Sequence, residues 1–148
     1  MTVQEVKEKL RSVYTKYREY MLAESKADQF RSAISLPSPV AASDAPRNES
    51  VSNGTESKLI AALWYSEQAN KKFRDFMTAR QEVEAVINSM KLPDEREILT
   101  RRYIMFEKWE EIAQKTYISL RHIHRIHGAA LAELAEISEK NKDVTKCH

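Results

Sequence analysis

The sequence is poor in the residues that break helices, form disulfides or cross membranes. Of its 148 residues only two are glycine and one is cysteine, Cys147, and a single cysteine excludes an intramolecular disulfide. No apolar run approaches the roughly 20 residues of a membrane-spanning helix. The N-terminal residues also lack the apolar segment of a secretory signal. We therefore expect a cytoplasmic protein with no membrane partner.

Proline is sparse as well, and three of the four prolines lie in one segment, residues 35–56. This segment is rich in serine, alanine and asparagine and has no helical period, so it predicts a flexible linker. On both sides of it, apolar residues recur at helical spacing. The sequence therefore predicts an all-α fold, with a long N-terminal helical hairpin or coiled coil and a C-terminal helix-turn-helix domain.

Two helices are predicted on either side of the linker, over residues 1–34 and 57–91. Thr2 and Glu5 form a predicted capping box at the start of the first helix. Its apolar stripe alternates intervals of three and four residues at Val3, Val6, Leu10, Val13, Tyr17 and Tyr20. The second helix keeps that spacing at Leu59, Ala62, Ser66, Ala69, Phe73, Phe76, Arg80, Val83, Ile87 and Met90. One helix cannot bury such a stripe alone, which leaves open an intramolecular hairpin and a coiled-coil homodimer.

Residues 92–137 have the pattern of a helix-turn-helix domain. Pro93 interrupts the chain, and Asp94 with Glu97 predicts the capped start of a new helix. Ser119 is a favourable N-cap for the last helix. The predicted helices are, in order, residues 94–106, 109–116 and 119–137, followed by a disordered tail at residues 138–148.

The last predicted helix has an apolar side and a basic side. At about 100° per residue, the apolar side carries Ile123, Ile126 and Ala130. The opposite side carries Arg121, His124 and Arg125, with His122 and His127 flanking them. No acidic residue occurs from Ser119 to Ala132. A basic helix face without carboxylates suits a groove lined by phosphates, and arginine can also read guanine.

Residues 92–134 resemble region 4 of sigma-70-type factors. They are more closely similar to the C-terminal part of small phage and prophage regulators of the RinA/ArpU type. The matching motifs are LPDERE at 92–97, RRYI at 101–104, WEEIA at 109–113 and S-x-R-x-I-x-R-I-H at 119–127. Over residues 1–91 only the layout of long helices and a linker is similar.

The resemblance implies a transcriptional regulator that activates late phage genes by binding promoter DNA in the nucleoid of a bacterial host cell. The helix 119–137 would enter the DNA. The residues predicted to contact DNA are Ser119, Leu120, Arg121, His122, His124, Arg125, Arg101 and Arg102. For Arg101 and Arg102, pairing with Glu97 or Glu107 is the alternative to a phosphate contact.

The sequence departs from region 4 proteins at the turn. Thr116 and Tyr117 stand where Leu-Gly is usual, and a tyrosine where φ is often positive predicts a different turn geometry. Lys108 stands where a capping serine is common, and Leu120 replaces a contact residue that is often polar. These departures affect the expected docking angle of the helix on DNA and not the assignment of the helix-turn-helix motif.

The histidines do not have the spacing of a metal site. His124 and His127 are three residues apart, whereas helical zinc motifs place two histidines four apart. The sequence also lacks a glycine-rich nucleophile elbow. We therefore expect no enzyme, no metal and no cofactor. Trp109 is predicted to be a core residue that packs under Ile123 and Tyr103.

Two other functions remain open. Residues 94–137 hold seven Lys or Arg and eight Asp or Glu, which favours a protein-contact module for host RNA polymerase with weak DNA binding. A phage DNA-packaging subunit is the other alternative, because such subunits combine helix-turn-helix units with helical oligomerisation segments. The predicted partners are thus double-stranded promoter DNA, RNA polymerase and a second copy of the chain.

Overall fold

The computed structural model describes residues 1–35 and 49–146. Within these ranges the chain contains five α-helices and no strand, so the all-α prediction is confirmed. The helices are α1 (Val3–Ser35), α2 (Glu49–Asn88), α3 (Pro93–Leu99), α4 (Trp109–Thr116) and α5 (Leu120–Lys146). A five-residue π-helix, Thr100–Ile104, follows α3 directly.

The predicted helix bounds differ most from the structure at the start of α2 and the end of α5. The helix predicted over 94–106 is α-helical only to Leu99 and continues as the π-helix to Ile104. Helix α2 begins at Glu49, so residues 49–56 are helical and do not belong to the predicted linker; residues 36–48 lie outside the described ranges. No proline follows Pro46 until Pro93, and one helical glycine costs only about 1 kcal/mol. Helix α5 continues through 138–146 instead of giving way to a disordered tail, because polar residues such as Glu and Lys favour helix as well as exposure.

The first predicted cap is confirmed and the second is wrong. The Glu5 carboxylate accepts the Thr2 N–H at 2.6 Å, and the Thr2 hydroxyl accepts the Glu5 N–H at 3.2 Å. Helix α3 has Leu92 as its N-cap and no side-chain capping bond. Because Pro93 suits the first helical position, Asp94 falls inside the first turn.

The chain divides into two compact units. We call residues 17–76 the hairpin unit, since its parts of α1 and α2 run antiparallel. Phe30 stacks on Tyr65 with ring centroids 4.4 Å apart, while at the other end Lys72 pairs with Glu19 at 3.4 Å. The intramolecular hairpin that the sequence left open is therefore present within this unit.

The second unit comprises residues 1–16 and 77–148, and we call it the motif unit. Its core is contributed by the start of α1, the end of α2, and α3 to α5. The most deeply buried side chains include Leu10, Val13, Val83, Ile87, Met90, Ile98, Leu99, Ile112, Ile123 and Leu134. Most stripe positions predicted for this unit are buried, although Val3 is 45% exposed.

Candidate nucleic-acid interface

Helix α4 begins and ends as a short, well-defined element. The Glu111 carboxylate accepts the backbone N–H of Lys108 at 3.0 Å. Glu110 and Glu111 also place negative charge in the first turn, where the helix dipole favours it. The Thr116 hydroxyl donates to the Ile112 carbonyl at 2.7 Å in the last turn. The predicted bounds of this helix, residues 109–116, are confirmed.

The turn after α4 has a left-handed residue at its C-cap. Tyr117 has φ 58° and ψ 24°, and its side chain is 96% exposed. The expectation that tyrosine would change the turn geometry is therefore wrong, because Tyr117 adopts the conformation for which glycine is preferred. The exposed side chain meets no neighbour, so the cost is restricted to the backbone, about 1–2 kcal/mol.

A small apolar cluster fixes the position of α5 against α4. Ile98, Ile112 and Ile123 are at most 1% exposed and form its centre, with Trp109, Ala113, Ile118 and Ile126 packed around them. Trp109, predicted to be a core residue, is partly buried and packs against the cluster that contains Ile123. Ser119 caps α5 as predicted, since its hydroxyl accepts the His122 N–H at 3.3 Å.

The opposite side of α5 is open to solvent. We call the four side chains Arg121, His122, His124 and Arg125 the basic face, and all four are exposed. Ser119 and Leu120 lie exposed at the start of the same helix. The first turn contains no acidic residue. Six of the residues predicted to contact DNA are therefore brought together on one accessible surface.

Arg101 is placed differently from the basic face. Its guanidinium lies 3.0 Å from the Glu97 carboxylate and 3.4 Å from that of Glu107. Glu107 is buried and also accepts the Lys115 ammonium at 2.8 Å. Lys115 and then Arg101 hold the pKa of Glu107 below its ordinary value. Of the two roles left open for Arg101, the structure contains the pairing with both carboxylates.

Arg102 also contacts the protein rather than open solvent. Its guanidinium carbon lies 4.6 Å from the centroid of the Trp109 ring, within the range of a cation–π contact. The same group donates a hydrogen bond to the Glu107 carbonyl at 3.0 Å. Arg101 and Arg102 thus stabilise the segment before α4 and do not belong to the basic face.

The sequence predicted that His127 flanks the basic side of the helix, and this prediction is wrong, because His127 is buried in the core. It is 9% exposed, and its Nε2 lies 2.8 Å from the Tyr103 hydroxyl. Burial, followed by the charges of nearby cations, lowers the pKa of His127 to about 4. The signal for its burial was its position four residues after Ile123 and three before Ala130, on the apolar side of the helix.

Sequence reasoning also missed a buried carboxyl group between α3 and α5. Glu95 is 6% exposed, and its Oε2 has no hydrogen-bond partner within the described ranges. Burial, followed by the hydrogen bond and charge of Glu133, raises the pKa of Glu95 to about 7. Its position three and four residues before the buried Ile98 and Leu99 was the available signal.

Metal ligands do not converge in the described part of the chain, where no three His, Cys, Asp or Glu side chains are placed to hold an ion. None of the helices in the described ranges has the length and apolar character that a bilayer crossing requires. No protein-family model, curated protein or solved structure matched the chain when it was compared with them.

Proposed function

We propose that the chain is a sequence-specific DNA-binding transcriptional regulator that inserts the N-terminal half of α5 into the major groove of promoter DNA. The observation that carries the proposal is the basic face, four exposed cationic or titratable side chains on a helix held by a short helix and a tight turn. The similarity of residues 92–134 to RinA/ArpU-type regulators supports late phage or prophage promoters as targets and activation as the effect.

The chemistry of the basic face fits both parts of DNA recognition. Arg121 and Arg125 can form paired hydrogen bonds with guanine or neutralise phosphates. Ser119 and the free N–H groups of the first turn of α5 suit a phosphate oxygen. Leu120, 39% exposed, can contact a thymine methyl group. Arg101 and Arg102 are left out of the proposed contacts because their guanidinium groups are already engaged.

A double substitution tests the proposal. Arg121→Ala with Arg125→Ala should weaken binding to a selected promoter fragment about 100-fold, since each arginine contact contributes on the order of 1–3 kcal/mol. The matched control is Lys71→Ala with Arg74→Ala, which removes the same charge from exposed positions of α2. Fluorescence anisotropy gives the affinities and circular dichroism checks folding. Equal affinities for the two folded variants would contradict the assignment.

The hairpin unit supports self-association as part of this function. Leu59, Ile60, Leu63 and Trp64 are between 48% and 63% exposed on α2, an apolar surface that a second copy could cover. A dimer would present two basic faces to a repeated or palindromic site. In sedimentation velocity, wild type should form dimers and Leu59→Glu with Leu63→Glu should remain monomeric. A monomeric wild type at all concentrations would rule the dimer out.

Contact with RNA polymerase is the second candidate, and the near balance of acidic and basic residues over 94–137 favours it. The two functions differ in their response to salt. A groove-binding protein loses affinity for DNA steeply as salt rises, because it releases counterions from the phosphates. Retention of polymerase on the immobilised protein without DNA, together with DNA binding that is weak at low salt, would favour the second candidate.

A further inference from the structure

The motif unit contains a cleft that lies beside the basic face. It encloses about 640 Å³, within the size range of small-molecule sites. Helix α1 contributes Lys7, Arg11 and Tyr14 to its wall, and residues before and within α4 contribute Phe106, Lys108 and Trp109. The α1 residues are spaced four and three apart, so they share one helix face. Of the basic face, His124 lines the cleft, whereas Arg121 and Arg125 do not.

The lysine and arginine side chains that line the cleft have no acidic counterpart in its lining. Lys7, Arg11 and Lys108 line it, no acidic residue does, and none of these three cations forms an ion pair within residues 1–35 and 49–146. His127 also lines the cleft, and burial, followed by the charges of Lys7, His124, Arg102 and Arg11, lowers its pKa to about 4. A concave surface with several unneutralised cations attracts an anion with more than one charge.

Four aromatic side chains line the cleft. Tyr14 and Phe106 are in contact with centroids 5.1 Å apart, and Trp109 and Tyr103 line the same space. Aromatic rings at such a surface can stack on a planar ring of a ligand. A phosphate alone would not need them, so the lining fits a ligand that combines a ring with the negative charge.

The backbone that presents these rings is unusual at two places. Arg102 and Tyr103 belong to the π-helix Thr100–Ile104, and Phe106 has φ 58°. π-Helical turns occur often at functional sites, and left-handed non-glycine residues cluster at ligand sites. Both irregularities lie in the segment that lines the cleft.

We propose that this cleft binds a nucleotide, with the base packed against Tyr14 and Phe106 beside Trp109 and the phosphates held by Lys7, Arg11 and Lys108. The combination of a planar ring with two or more negative charges is what distinguishes a nucleotide from a simple anion or an uncharged aromatic compound. The ligand is either a free nucleotide or one nucleotide of a single strand, which present the same chemistry. The proposal does not depend on DNA binding by the basic face.

Fluorescence of Trp109 provides the test. The chain has two tryptophans, so Trp64→Phe leaves Trp109 as the only one. In this background the protein is titrated with ATP, GTP, adenosine, inorganic tripolyphosphate and a short single-stranded oligodeoxynucleotide of mixed sequence. We expect saturable quenching by ATP or GTP, or by the oligonucleotide if the nucleotide belongs to a strand. Adenosine and tripolyphosphate should each bind at least about tenfold more weakly, because each offers only half of the recognised chemistry.

Matched variants locate the binding in the cleft. Lys7→Gln with Arg11→Gln should weaken binding at least about tenfold. Lys71→Gln with Arg74→Gln, which removes the same charge from α2, should change it less than about twofold. Tyr14→Leu supplies a second test of the stacking surface, and circular dichroism checks the folding of each variant. NMR titration of His127 should show its pKa raised by the bound phosphates.

Three results would overturn the proposal. One is the absence of saturable quenching by every nucleotide and by the oligonucleotide. Another is tripolyphosphate binding as tightly as ATP, since that describes an anion site with no role for the rings. The third is unchanged binding by the folded Lys7→Gln, Arg11→Gln variant. Because Arg121 and Arg125 are intact in all these proteins, failure here is distinguishable from failure of the basic face to bind DNA.

Discussion

Two sets of basic side chains in the motif unit differ in their surroundings. Arg101, Arg102 and His127 are partly or fully buried and contact carboxylates, a carbonyl, a tryptophan ring or a hydroxyl. Arg121 and Arg125 stand exposed on the other side of α5. Basic residues in the first set thus stabilise the fold, whereas those in the second set are accessible to a partner.

The difference shows that basic character near a helix-turn-helix does not by itself assign a DNA contact. Arg101 and Arg102 belong to the RRYI motif that the resemblance uses, yet their guanidinium groups meet protein atoms. Substitutions in the first set should therefore change stability, and substitutions in the second should change binding.

The largest expected effect on stability is at Glu107. Glu107→Gln leaves Arg101 and Lys115 without their shared carboxylate. Because both cations keep access to solvent, the cost should be that of lost charge-assisted hydrogen bonds, about 1.5–3 kcal/mol. Urea unfolding measures the change. Glu136→Gln, an exposed carboxylate in the interior of α5, should change stability by less than about 0.5 kcal/mol. A stable Glu107→Gln protein with reduced DNA affinity would instead move Arg101 into the interface.

His127 should give a pH dependence of stability on the acid side. Its pKa of about 4 lies below the ordinary 6.5, so the unfolded chain takes up the proton first as the pH falls. The contribution of neutral His127 to the free energy of unfolding is fully present above pH 6.5, and about 2–3 kcal/mol of it is lost as the pH falls to 4. His127→Gln lacks this loss. As the pH falls from 6.5 to 4, the free energy of unfolding of the variant should therefore rise relative to that of wild type. Parallel pH profiles of the two proteins would contradict the buried, neutral histidine.

Glu95 should act in the opposite direction. Its pKa of about 7 lies above the ordinary 4.5, so its contribution is complete below pH 4.5 and is lost as the pH rises to 7. Glu95→Gln has no such loss. The free energy of unfolding of the variant minus that of wild type should therefore be about 2 kcal/mol larger at pH 8 than at pH 4.5. Thermal unfolding at both pH values measures the difference. A variant that gains nothing at pH 8 would show that Glu95 is ionised without cost.

The smallest expected effect is at the turn between the two helices. Tyr117→Gly relieves the left-handed strain and should stabilise the protein by about 0.5–1 kcal/mol, less than the full penalty because glycine loses more entropy on folding. Tyr117→Ala keeps the strain and is the matched control, with little expected change. Chemical unfolding distinguishes the two. Equal stability of both variants would argue against a left-handed residue in the turn.

The sequence predicts the motif better than its surroundings because the motif depends on local patterns. The bounds of α4, the Ser119 cap and the exposure of Arg121 follow from spacing within a few residues. His127 followed the same period but was assigned to the wrong side because its ring is polar. Helical periodicity predicts the burial of a polar side chain better than its polarity does when a hydrogen-bond partner such as Tyr103 is available.

Contacts between residues that are distant in sequence could not be predicted from local patterns. The pairing of Arg101 with Glu107 depends on the π-helix Thr100–Ile104 and on the positive φ of Phe106, neither of which has a recognisable sequence signal. The cleft needs the start of α1 to pack beside α4, although Tyr14 lies more than 90 residues before Trp109 in the sequence. Lys7 and Arg11 share a helix face in the sequence, but only the fold places Lys108 and Trp109 opposite them.

Selection of DNA from a random pool tests the central claim most directly. The purified protein is incubated with random duplexes, and the bound fraction is sequenced for wild type, for Arg121→Ala with Arg125→Ala, and for Lys71→Ala with Arg74→Ala. We predict one enriched motif for wild type and the α2 control, and its loss in the basic-face variant. Half-sites spaced by about one turn of DNA would also support a dimer. No enriched motif with wild type, or the same motif with the basic-face variant, would contradict DNA reading by α5.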